Sequence, residues 1–131
     1  VDAILTGPDG APRIVEVDED QHFSPHRAKA FTLYPAHISV AFDRETWIER
    51  SLSGMKPKGG NFAKPCPPLF PEAGGRHIQR AFRDALADLL PTAHGWAPTL
   101  RVGEFEVAGW LHDDDAADRM SALLDRKVVS R

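Results

Sequence analysis

Arg13-Ile14-Val15-Glu16-Val17-Asp18-Glu19-Asp20-Gln21-His22-Phe23 decides how this chain is read. Side chains alternate across a strand, so residues two apart share a face. Val15 and Val17 then form a core face, and Ile14, Glu16 and Asp18 share the other. Gln21 and His22 follow where the strand runs out. Two carboxylates at i and i+2 repel each other unless a cation sits between them. The stretch therefore predicts a strand that delivers acidic ligands to a metal.

Working outward, Val1-Asp2-Ala3-Ile4-Leu5 is a second short apolar run, and Thr6-Gly7-Pro8-Asp9-Gly10-Ala11-Pro12 is dense in turn formers. The two runs predict an antiparallel hairpin. Pairing Ile4 with Ile14 sets Ala3 opposite Val15, Val1 opposite Val17 and Asp2 opposite Glu16. Opposed Cβ atoms lie about 4.5–5.5 Å apart, within reach of one shared divalent ion. A slip of two residues keeps the faces but parts Asp2 from Glu16.

An Asp-bearing strand followed by Glu16-Val17-Asp18-Glu19-Asp20-Gln21-His22 resembles the catalytic core of the PD-(D/E)XK nuclease superfamily. The likeness is to the variant in small proteins related to very-short-patch repair endonucleases, and it covers roughly the first third of the chain. It implies a restriction-endonuclease-like fold and a DNA endonuclease dependent on Mg²⁺ or Mn²⁺. By that resemblance Asp2 and Glu16 are metal ligands, with Asp18 beside them. Asp18 stands where the family usually has Lys, which leaves the base open between Asp18, Gln21 and His22. It also leaves open the source of the missing positive charge: a second ion drawn by Asp18, or a protonated His22. Without a metal, the same acidic run suits a solvated strand end.

The 131 residues suffice for one domain with one core, and 42% hydrophobic with 27% charged residues is ordinary for a globular protein. A single cysteine, Cys66, excludes an internal disulfide, and no Cys/His spacing suggests structural zinc. With neither a long apolar run nor a signal-peptide pattern, a cytoplasmic protein without membrane contact is expected. The chain begins at Val1 within a predicted strand, so elements preceding the Asp strand are expected in a longer protein.

A net charge of −3 hides a basic middle. From Ser24 to Arg83 ten basic residues stand against four acids, a local balance of +6. A basic belt beside an acidic metal site suits phosphodiester cleavage. Arg27, Lys29, Lys56, Lys58, Lys64, Arg76, Arg80 and Arg83 are its candidate DNA contacts, although such a belt also serves plain solvation.

Ser24-Pro25 predicts a helix N-terminus, with Ala28, Phe31 and Tyr34 turned inward and Pro35 ending it. His37–Phe42 alternates as a third strand, and Asp43 caps a helix to Leu52 that buries Trp47, Ile48 and Leu52. Ser53 to Gly75 holds five prolines and five glycines in 23 residues, which predicts an irregular arm. Arg76 to Leu90 is a helix burying Ile78, Phe82, Ala85, Leu86 and Leu89, stopped by Pro91. Thr99–Val102 and Phe105–Val107 suggest a hairpin about Gly103-Glu104, or one strand with a bulge. Asp113–Asp115 open a last helix with Met120, Leu123, Leu124 and Val128 inward.

The expected architecture is α/β: a small mixed sheet with an N-terminal antiparallel hairpin, flanked by helices. The expected activity is metal-dependent DNA cleavage. A catalytically inactive nucleic-acid-binding module of the same fold is the first alternative, and an interaction domain without nucleic acid the second.

Overall fold

The computed structural model describes residues 1–7, 10–53 and 63–129. Strand β1 (Ala3–Thr6) pairs antiparallel with β2 (Pro12–Asp18), and β2 pairs parallel with β3 (Leu100–Gly103). The hairpin register is the one its side chains called for, Ile4 opposite Ile14 and Ala3 opposite Val15. A single 3₁₀ turn (Asp20–His22) leaves β2, and helices α1 (Pro25–Phe31), α2 (Arg44–Leu52) and α3 (Gly75–Ala93) follow. After β3 come a short α4 (Glu104–Val107) and the final α5 (Ala116–Val129). The chain is thus α/β, with a mixed three-stranded sheet and its helices around it.

The two faces of the sheet have opposite chemistry. Val15, Leu100 and Val102 join Ala41, Val107 and Leu123 in an apolar cluster beneath α5. Glu16, Asp18, Thr99 and Arg101 point the other way, toward α3, and all four are buried. Val17, expected in the core, is 43% exposed. Strand β1 pairs only as far as Ala3, so no residue of β1 lies opposite Val17. All four side chains of β1 are exposed.

Aromatic packing builds a second cluster from Phe23, Phe31, Tyr34, Phe42 and Trp47. Its helices begin as their sequences dictate. Ser24 accepts the Arg27 amide at the start of α1, with Pro25 in the first turn. Helix α1 ends at Phe31, ahead of Pro35. Asp43 caps α2 by accepting the Glu45 and Thr46 amides and the Thr46 hydroxyl. Trp47 is buried as expected and Ile48 partly so, but Leu52 faces solvent and Ser51 lies inward.

Further expectations are corrected. His37–Phe42 is not a third strand; His37 lies in a turn, only Ala41 bridges to Leu100, and Ile38 and Val40 pack against the aromatic cluster. Phe105–Val107 is a helical turn and not a hairpin arm, because Glu106 accepts the Gly103 amide at 2.8 Å and closes the turn. Helix α3 runs through Pro91 to Ala93. Proline has no N–H for the carbonyl four residues back, Ala87 O; the Thr99 hydroxyl donates to it instead, at 2.5 Å. Finally, α3 buries Gly75, His77, Ala81, Asp84, Asp88 and Pro91, while Phe82 is 50% and Leu90 47% exposed. Ala85 and Leu89 reach the aromatic cluster from its flank. In α5 Leu123 is buried and Met120 and Leu124 pack against the apolar cluster, but Val128 is 38% exposed.

Asp43→Ala is expected to cost about 1 kcal/mol at neutral pH, as a lost N-cap does. The Thr46 hydroxyl, first of all, holds the Asp43 carboxyl below its usual range, with the two amides assisting against slight burial. The folded value therefore lies below the unfolded ~3.9. The cap's charge-dependent stability is complete above that value and is lost as pH falls through the lower folded one. Urea midpoints of wild type and Asp43→Ala should converge on acidification.

Candidate metal centre

Between the sheet and α3 lies a layer of charge instead of apolar packing. Arg101, 0% exposed, donates from Nη1 to Asp18 Oδ1 at 2.6 Å and from Nε to Asp88 Oδ1 at 2.7 Å. Its Nη2 reaches the Asp84 carbonyl at 3.1 Å and the Asp84 carboxylate at 3.6 Å. On the far side of Asp88, Arg27 Nη2 donates to Oδ2 at 2.6 Å, and the Tyr34 hydroxyl donates to the same atom. Trp47 Nε1 donates to Asp18 Oδ2 at 2.6 Å. Burial works against the Arg101 charge, yet Asp88, Asp18 and Asp84 hold its proton more tightly than in a free arginine. Burial and the Asp88 charge together push the Tyr34 hydroxyl well above the usual phenol value.

His22 closes the layer at its open end. The 3₁₀ turn after β2, held by His22 N–H to Glu19 O at 2.9 Å, swings the ring back over the strand end. Its Nδ1 lies 3.0 Å from Asp84 Oδ2 and 3.4 Å from Asp18 Oδ1. Burial alone would raise the Asp84 carboxyl, but the His22 hydrogen bond and the Arg101 charge outweigh it and hold the group below its ordinary value.

The charges in this layer do not cancel by themselves. Asp18, Asp84 and Asp88 face Arg27 and Arg101, so one carboxylate charge is left to His22 and to the more distant pull of Arg80. A buried excess charge is strongly unfavourable unless a partner meets it. Among the described residues, Asp18, His22 and Asp84 are the group whose nitrogen and oxygen ligand atoms all lie within 4.8 Å of one another. Neighbouring ligands of an octahedral ion at about 2.1 Å sit about 3 Å apart, so the His22–Asp84 spacing suits a small divalent cation. Carboxylate oxygens with one imidazole suit Mg²⁺ or Mn²⁺, Mn²⁺ the more readily for the nitrogen.

Above His22 and Asp84 opens a cavity of about 800 Å³. Glu16, Arg76, Arg80 and Arg83 line the same space. Burial above all, with Arg76 beside it, holds the Arg80 guanidinium below its usual value, against the pull of Asp84 and Glu19. A half-buried cation under that strain favours an incoming anion.

The candidate residues named from the sequence are dispersed by these contacts. Asp18 and His22 meet in the centre. Asp2, which was to share an ion with Glu16, instead accepts the Val17 amide through Oδ2 at 2.7 Å. Glu16 lies 3.2 Å from the Val1 nitrogen, on the cavity wall. Gln21 donates to Glu19 at 2.7 Å. Arg27 is 1% exposed and bound to Asp88, so it cannot touch DNA. Lys29 and Lys64 are exposed away from the cavity lining, and Lys56 and Lys58 lie outside the described residues. Asp84, Asp88 and Arg101 were not foreseen as site residues. Their signals were present: two acids four apart on the face of an apolar helix, and an arginine inside Leu100-Arg101-Val102. No protein-family model, curated protein or solved structure matches the chain.

Proposed function

We propose that this chain is a divalent-metal-dependent phosphodiesterase acting on DNA, of the PD-(D/E)XK kind, whose ion is held by Asp18, His22 and Asp84. The supporting observation is the unbalanced carboxylate beside His22, at the floor of an arginine-lined cavity. When bound, Mg²⁺ or Mn²⁺ would polarise the scissile phosphate and acidify a water. Arg76, Arg80 and Arg83 bind the non-bridging phosphate oxygens and set the backbone over the floor. Glu16, on the same wall, accepts the proton of the attacking water. Arg101 and Trp47 hold Asp18 so that its carboxylate cannot turn away. Among the described residues no helix is long and apolar enough to cross a membrane.

A second reading is favoured by a separate observation: both Asp18 oxygens already accept strong hydrogen bonds, from Arg101 and Trp47. A protonated His22 would then balance the layer without a metal, and the domain would hold DNA without cutting it. Plasmid nicking in Mn²⁺ with an EDTA control, together with Mn²⁺ calorimetry, separates the two. Saturable Mn²⁺ binding with EDTA-sensitive nicking is expected. DNA binding with neither would establish the second reading.

A further inference from the structure

The cavity lining has two chemically distinct parts. Along α3 it passes from Arg76, Arg80 and Arg83 to Leu86 and Leu90, and Trp96 after the helix belongs to the same lining, as do His22 and Asp84. At about 800 Å³ it is large for a phosphate group alone and lies within the range of pockets for whole small molecules, about 300–1,000 Å³.

The tryptophans differ in a telling way. Trp47 donates its indole N–H to Asp18 and packs among Phe23, Phe42 and Phe105. Trp110 donates to the Glu106 carbonyl and lies under Arg119. Trp96 lines the cavity, and among the described residues its ring has neither a hydrogen bond nor a stacking partner. A partly buried indole in a cavity lined by leucines offers a flat apolar platform, the feature on which unpaired bases stack. The same cavity holds three arginines, cations of the kind that bind phosphate.

We infer that the cavity binds a single nucleotide unit with an unpaired base, its base against Trp96 and its phosphate against Arg76, Arg80 and Arg83. This deepens the phosphodiesterase reading and rests on it for the reaction, though not for the binding. A base-paired duplex cannot fill such a site, because its bases are stacked inside and only its backbone is offered. The substrate class is therefore single-stranded or locally unpaired DNA.

The test titrates the chain with deoxyadenosine monophosphate, deoxyadenosine and inorganic phosphate, reading tryptophan fluorescence and heat in EDTA. The nucleotide should quench saturably and bind at least about tenfold more tightly than phosphate, as one base–aromatic stack supplies. Trp96→Leu should abolish the quench and lose that advantage, while Trp96→Phe, which keeps a ring, should restore the affinity. Arg80→Gln should weaken the nucleotide without changing the nucleoside. A short single-stranded oligodeoxyadenylate should compete, and failure to compete overturns the assignment to a DNA strand. A nucleotide that binds no more tightly than phosphate, or equally well to Trp96→Leu, overturns the inference. If nucleotide binding survives while metal-dependent nicking is absent, the phosphodiesterase reading fails alone. Efficient nicking of duplex with no nucleotide binding would sink the pocket and leave that reading standing.

Discussion

Arg101→Met is expected to lose about 3–5 kcal/mol, the range for removing one partner of a buried ion cluster. Methionine approximates the volume but leaves Asp18, Asp84 and Asp88 facing one another with only Arg27 opposite Asp88. Since domains of this size hold about 5–15 kcal/mol in all, the variant should lose a large fraction of its stability. Urea unfolding by circular dichroism measures the loss. Adding Asp18→Asn to Arg101→Met removes one of the stranded charges, so the double variant should be more stable than the sum of its parts by about 0.5–3 kcal/mol. An Arg101→Met chain within about 1 kcal/mol of wild type would show that water, not Arg101, satisfies these carboxylates.

The second large effect falls on the proposed chemistry. Asp84→Asn keeps the shape of the side chain and its contact with His22 but removes the excess charge that draws a cation. Losing an outer-shell partner already costs metal sites about 10–100-fold in affinity or activity, so a lost ligand should exceed about 100-fold in both. His22→Ala should do the same. Both losses should appear in Mn²⁺ calorimetry and in plasmid nicking. Arg83→Gln, on the exposed side of the cavity, should leave Mn²⁺ affinity intact and weaken DNA alone. Its salt dependence, plotted as log K against log salt, should flatten by about 0.9 for one phosphate contact on duplex, or about 0.7 on a single strand. An Asp84→Asn protein with unchanged Mn²⁺ affinity would refute the proposed ligand set.

What the sequence made legible was local. The hairpin register follows from alternation in two short runs, and Ser24 and Asp43 announce their helices because a cap depends on its own neighbours. The site was half legible: Asp18 and His22 lie four residues apart and were named together. Asp84 and Arg101 were hidden because their value depends on partners far along the chain, 62 residues from His22 and 83 from Asp18. Helix α3 misled for the same reason. Its strongest apolar stripe, Phe82, Leu86 and Leu90, turns outward, while Asp84 and Asp88 are drawn inward by two arginines that periodicity cannot see. Asp2, expected to share an ion with Glu16, instead accepts the Val17 amide, a backbone partner that side-chain alternation does not reveal.

The Thr99 hydroxyl on Ala87 O does more than fill the gap that Pro91 leaves. It joins the last turns of α3 to the first residue before β3 across only 12 positions. Such a short closure costs little chain entropy, and its two ends protect each other from solvent. In native-state hydrogen exchange the amides of Leu90 and Leu100 should therefore behave as members of one cooperative unit, opening together and not fraying separately. The tail of this helix is tied as firmly as its middle, and with it the Leu90–Trp96 wall of the cavity.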